Sequence, residues 1–160
     1  MVVGRFYEPT QPDRYKRVVL YEEPIVAIAR AGHPLFRRRP ITAAKLRKFP
    51  LALPTATQRV HQDIERFIQS ADLVQDNALR TSSLSLIREM LLSTDTVAIM
   101  PRLMMAGDLL RKSVREIEGL ATPVMRHGGL ILRGETRLSH AAEIFVDALR
   151  AYLGAFEGEN

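Results

Sequence analysis

Leu20–Leu35 reads LYEEPIVAIARAGHPL. Pro24 separates the acidic pair Glu22-Glu23 from the apolar run Ile25–Ala29, and Gly32-His33-Pro34 ends the segment. Together with the two valines before Leu20, this predicts a buried strand over Val18–Arg30, because the run is short, β-branched and closed by turn residues. A proline within such a run places an edge, a bulge or a crossover there. Glu22 and Glu23 are neighbours on a strand and so point to opposite faces. They cannot flank one substrate as an acid–base pair.

The same punctuation recurs downstream. Leu51–Leu53 lies between Pro50 and Pro54, and Thr96–Met100 stops at Pro101. These, with Val2–Phe6, Asn77–Thr81 and Gly129–Arg133, are expected strands. His127-Gly128-Gly129 is expected to be a turn leading into the last of them. Between the strands, the apolar spacing changes to that of helices. Thr42 is placed to cap a short helix through Phe49. Thr57 precedes a helix with Val60, Ile64, Phe67 and Ile68 on one stripe. Ser82, Ser83 and Ser85 open a helix with Leu86, Ile87, Met90 and Leu91 inward, and Leu103–Leu110 is also expected to be helical. The final helix, capped by Ser139, is expected to bury Leu138, Ala141, Ala142, Phe145, Ala148, Leu149 and Tyr152. Strands alternating with helices imply βαβ units and a mostly parallel sheet, hence an α/β fold. No repeat or low-complexity tract interrupts the pattern.

Composition narrows the function. The chain has 160 residues, 46% of them hydrophobic, which suits one domain with a real core. No apolar stretch approaches the roughly 18 residues of a membrane span. The N-terminus lacks the charged-then-apolar pattern of a signal peptide, so the cytoplasm is the simplest location. Without cysteines there is no disulfide, thiolate metal site or Cys nucleophile. The net charge of +5 raises nucleic acid as a partner. However, the charges are scattered, and the one run, Arg37-Arg38-Arg39, lies in a turn-like stretch and is read as a solvated loop. Ten aromatic residues show no alternation with basic ones for stacking bases.

Catalytic signatures are missing. The sequence has no serine elbow, HExxH pair, GxGxxG or Walker loop. Its histidines, His33, His61, His127 and His140, are too far apart for ligand spacing, and no metal or cofactor is expected. What remains is a group of hydroxyls at strand-to-helix junctions: Thr55 and Thr57 after one strand, and Thr81, Ser82 and Ser83 after another. Ligands of parallel sheets bind beyond the carboxyl ends of the strands, where helix starts offer free N–H groups. The same hydroxyls could serve only as helix caps.

VVGR, LYEEPIVAIARAGHPL, LALPTATQRV, ALRTSSLSLIREMLLSTDTVAIMPR and SHAAEIFVDALRAYL occur in that order along the chain. As an ordered set they resemble the effector-binding domain of LysR-type transcriptional regulators, with wording most similar to regulators of sugar or aromatic-acid catabolism. The resemblance implies a fold like that of type II periplasmic binding proteins: two α/β subdomains joined by crossover strands. Residues 1–20 and 124–160 would form the first subdomain and residues 21–123 the second. The first would be incomplete, and the helix-turn-helix that reads DNA would lie outside the chain. The implied partners are a small effector, organic-acid or sugar-like, and further copies in a homo-oligomer. DNA would be contacted only through the missing domain. Carried onto this sequence, the effector pocket would use Arg5; Pro54, Thr55, Ala56 and Thr57; and Arg80, Thr81 and Ser82, facing one another across the inter-subdomain cleft. Arg5 could bind a carboxylate or diol in a bidentate fashion. Three rivals stand beside this reading: a free-standing solute-binding protein, an enzyme of unknown type and a nonspecific nucleic-acid binder.

Overall fold

A computed structural model describes residues 1–7, 14–37, 40–55, 57–120, 124–134 and 137–157. The chain divides into two compact units, one of Met1–Glu23 with Met125–Asn160 and one of Pro24–Val124. It passes between them twice, at Glu23–Pro24 and at Val124–Met125.

The first unit holds β1 (Val2–Arg5), the opening half of β2 (Tyr15–Arg30), β7 (Met125–Arg133) and α5 (His140–Glu157). β1 pairs antiparallel with β7, Val2 opposite Ile131 and Arg5 opposite Gly128, and β7 in turn neighbours β2. His127–Gly129 therefore lie inside a strand and do not form the turn expected from sequence. Crowding explains the glycines. A Cβ on Gly128 would fall 2.2 Å from the Tyr21 ring, and one on Gly129 would fall 2.1 Å from the Val18 carbonyl oxygen. Gly129 also has φ of 155°.

α5 corrects a second expectation. It buries Val146, Leu153 and Phe156, with Ala142 and Leu149 half-buried. Phe145 and Tyr152, expected inward, are 49% and 45% exposed. Two stripes share the helical period here, 142/146/149/153/156 and 141/145/148/152, and periodicity alone cannot choose between them. Ser139 does cap the helix: its Oγ accepts the Ala142 N–H at 3.3 Å.

The second unit is built on the remainder of β2 with β3 (Leu51–Pro54), β4 (Leu79–Thr81), β5 (Val97–Pro101) and β6 (Val114–Glu116). The strand order is β6-β2-β5-β3-β4. β3 runs parallel to β4 and β5, whereas β2 is antiparallel to both β5 and β6. The sheet is thus mixed, and parallel only where a helix crosses between strands. Those crossovers are α2 (Gln58–Ser70), between β3 and β4, and α3 (Leu84–Ser93), between β4 and β5. β6 has three residues, too few to leave a period in the sequence. Pro24 falls within the continuous strand β2, immediately before its β5-paired stretch Ile25–Ile28, and so stands outside that ladder.

Both faces of this sheet are covered. Val26, Ile28, Ala52, Ala98 and Met100 join Ile87 and Leu91 of α3 in one core cluster. Strand alternation sends Ile25, Ala27, Leu51, Leu53 and Ile99 to the other face, beneath Ile64, Phe67 and Ile68 of α2. Fully burying an isoleucine such as Ile64 contributes about 2 kcal/mol. Leu86, expected inward on α3, is 45% exposed, because two buried positions a turn apart already fill that helix's contact with the sheet. Thr42 caps α1 (Ala43–Leu46), accepting the Lys45 N–H at 3.4 Å. Arg102–Met105 forms a single 3-10 turn before α4 (Ala106–Leu110), dividing the helix expected over this stretch.

His33 closes β2 from within the core and is fully buried. Its Nδ1 accepts the Leu35 N–H at 3.1 Å, which leaves Nε2 to donate to the Asp95 carbonyl at 3.1 Å. Its ring meets Phe49 edge-on at 4.6 Å. One side chain thus joins the end of β2 to the approach to β5.

Candidate functional site

The carboxyl ends of β3 and β4 lie side by side, with Pro54 opposite Thr81. The Thr55 N–H donates to the Thr81 carbonyl at 2.7 Å and extends the pairing one residue past β3. Each strand then turns directly into a helix. The Ser83 N–H donates to Thr81 Oγ1 at 3.1 Å, and Ser83 Oγ accepts the Leu86 N–H at 3.2 Å. Thr81 shapes the turn and Ser83 caps α3.

The remaining hydroxyls of this ledge have no such task. Thr57 precedes α2 but its side chain makes no capping bond. Thr55, Thr57 and Ser82 are exposed, and among the described residues their hydroxyls make no hydrogen bond. The first turn of α2 therefore has no side-chain cap at Thr57, an arrangement suited to a polar or anionic group from outside. Pro54 is buried and fixes the end of β3. Ala56 lies outside the described residues.

Arg80 has a different neighbour. Its Nη2 lies 2.6 Å from Glu65 Oε1 on α2. Adjacent strand residues point to opposite faces, so Arg80 braces β4 against α2 while Thr81 looks away from it. No local spacing announces this pair, whose partners stand 15 residues apart. α3 is held behind the ledge by a second brace. Asp108, buried in the middle of α4, receives Arg88 Nε at 2.7 Å and Arg88 Nη2 at 2.8 Å. Arg111 and Ser113 add contacts at 3.1 Å each. Hydrogen bonding from Arg88 is the main reason that the Asp108 carboxyl is lowered to about 2.

Arg5 belongs to the first unit. It ends β1, is half-buried, and donates from Nη2 to the Glu23 carbonyl at 3.3 Å. Tyr21, whose ring occupies the space above Gly128, has its phenol pKa raised by burial and by the Glu23 charge, with Arg5 opposing. Glu23 is buried and Glu22 exposed, as alternation requires. Among the described residues no cluster of three or more His, Asp or Glu side chains could hold a metal ion, and no helix is long and apolar enough to cross a membrane.

Residues 3–154 match the sequence profile described as LysR substrate binding domain. The chain belongs to the LysR substrate-binding domain family. It therefore has the type II periplasmic-binding-protein-like α/β fold of the effector-binding part of LysR-type transcriptional regulators. Solved structures agree on the fold. The regulatory domain of HypT from Salmonella typhimurium, bromide ion-bound, superimposes with a TM-score of 0.62 at 18% identity, over 93% of this chain and 71% of that one. The regulatory domain of CcmR from Synechocystis PCC6803, in complex with 2-PG, gives 0.62 at 16%, over 93% and 72%. Full-length HypT, a hypochlorite-specific LysR-type transcriptional regulator, gives 0.61 at 18%. The match covers 93% of this chain and 50% of that regulator. A comparison with curated protein sequences finds no match.

Proposed function

We propose that this LysR substrate-binding domain senses a small polar or anionic effector, organic-acid or sugar-like, through the ledge at the ends of β3 and β4. One observation carries the reading. Thr81 and Ser83 are consumed in building the turn, whereas the hydroxyls of Thr55, Thr57 and Ser82 stay uncommitted beside it. Hydroxyls donate and accept, so three of them suit a ligand rich in oxygen. Pro54 would shape the approach, and Arg80 would act by holding β4 to α2. Arg5, engaged by the Glu23 carbonyl, is a separate candidate for a carboxylate contact in its own unit.

The domain is read as a sensor and not as an enzyme. A bound effector acts by favouring one conformation of the regulator over another, and needs no reaction. The remaining parts of the reading are a cytoplasmic setting, assembly into a homo-oligomer, and DNA contact through a separate domain of the intact regulator. The exposed stripe of Ile144, Phe145 and Tyr152 on α5 supports self-association, which sedimentation at several concentrations measures.

The test titrates the chain with a panel of organic acids and sugar acids while recording backbone amide shifts. Shifts should centre on Thr55, Thr57 and Thr81–Ser83. Ser82→Ala should weaken binding by about three- to ten-fold, the loss of one hydrogen bond. Binding unaffected by Ser82→Ala, Thr55→Val and Thr57→Val alike would remove the ledge from the site.

A further inference from the structure

β4 and β6 are the opposite edges of the second unit's sheet. The effector ledge is at the β4 edge. Beside β6 lies a groove of about 690 Å³, bounded by Phe36, Pro40, Ile41, Arg115, Glu116 and Glu118 among others. We infer that this groove is a second ligand site, selective for a small carboxylate carrying a flat apolar group.

Arg115 is the cationic group among the described residues of this groove. It stands exposed on β6, and its guanidinium lies over the Phe36 ring at 4.4 Å from the centroid. No acidic side chain among the described residues pairs with it. Stacking on an aromatic face leaves the in-plane N–H donors of a guanidinium available, and their fork matches a carboxylate. The nearest acid on the strand is already occupied: Glu116 Oε1 sits 2.5 Å from Arg102 Nε. Its charge is therefore matched within the fold and opposes an incoming anion only weakly. Phe36 and Ile41 are half-buried and Pro40 adds a third apolar surface, so the body of the ligand would leave water while its carboxylate reaches Arg115. Glu118, exposed at the same groove, disfavours dianions and sets a preference for a single negative charge.

Phenylacetate is the probe, with phenethylamine and 2-phenylethanol as cationic and neutral partners of similar shape. Amide shifts of the chain during each titration locate binding and report folding in the same sample. Saturable phenylacetate binding is expected, with shifts at Phe36, Ile41 and Arg115–Gly119 and none at Thr55, Thr57 or Thr81–Ser83. Phenethylamine should bind at least ten-fold more weakly. Arg115→Gln should weaken phenylacetate binding about ten-fold or more, as befits a charge-assisted contact. Glu118→Gln should tighten it two- to three-fold while leaving the spectrum otherwise unchanged. If Arg115→Gln unfolds the unit, Arg115→Lys takes its place: it keeps the charge, loses the stacked fork and should still lose affinity. Four results would each overturn the inference: no saturable binding in the millimolar range, shifts centred on the ledge, equal affinity for the amine, or folded Arg115 variants that bind like the parent.

Discussion

Asp108→Asn tests whether the brace between α3 and α4 holds the helix that begins at the ledge. In the parent, four donors converge on the Asp108 carboxylate, two of them from Arg88. The carboxyl group is lowered from 3.8 to about 2, first by Arg88 hydrogen bonding and against the cost of burial. At neutral pH that displacement corresponds to about 2 kcal/mol of folding free energy. The sign follows from the direction. The folded carboxyl titrates below the unfolded one, so the contribution is fully present above the unfolded value near 4 and is lost as pH falls through the folded value of about 2. Urea unfolding of both proteins between pH 7 and pH 2 reads the difference directly. Asp108→Asn should be less stable by about 2 kcal/mol at pH 7 and pH 5, and the gap should shrink steadily below pH 4. A gap that stays constant down to pH 2 would show that lost shape, not lost charge, explains the cost. No gap at any pH would show that the brace contributes nothing.

Four further outcomes are expected. His33→Ala removes a buried ring with two hydrogen bonds and should cost about 3 kcal/mol in urea unfolding. Gly129→Ala should cost about 3 kcal/mol or more, because its new methyl would meet the backbone of Val18, and no side-chain change should recover it. Gly128→Ala should also destabilise, but a second change, Tyr21→Ala, should restore part of the loss, since the obstruction there is a side chain. Thr57→Asp supplies the capping acceptor that Thr57 does not provide, and should raise stability by about 0.5–1 kcal/mol while weakening anionic effectors, seen by pairing melting with titration.

Much of the frame was legible because proline and glycine punctuate it. Leu51–Pro54 and Val97–Pro101 form strands where the sequence placed them, and Thr42, Ser83 and Ser139 serve as caps. Three features were hidden for separate physical reasons. α5 offers two apolar stripes of equal period, and only tertiary contact decides which one is buried. The His127–Gly129 glycines resemble a turn, whereas they answer to a tyrosine and a carbonyl more than 100 residues earlier in the chain. β6 is too short to carry a pattern of its own. At the ledge, the hydroxyls could be read from their place after each strand, but their division into builders and spares could not. That division depends on which N–H groups come within reach of Thr81 and Ser83. The Arg80–Glu65 and Arg88–Asp108 braces were likewise invisible, because charged residues on different elements show no periodicity that links them.

The division of labour at the ledge has a consequence for how such a domain can sense. Buried groups with fully matched hydrogen bonds, His33 and Asp108 among them, fix the elements around the sheet. Changing them alters stability. Ser82, Thr55 and Thr57 lie on top of that scaffold, exposed, and each can turn its hydroxyl to donate or accept. On the proposed reading, changing them should alter recognition with little effect on folding. A ligand that satisfies several of these hydroxyls at once binds the arrangement in which β3 and β4 end together. Any conformation that parts the Thr55–Thr81 bond binds it less well. If the ledge is the effector site, the differential affinity that a sensor requires arises at one backbone hydrogen bond between two strand ends, with the free hydroxyls reading the ligand and the bond reporting its presence.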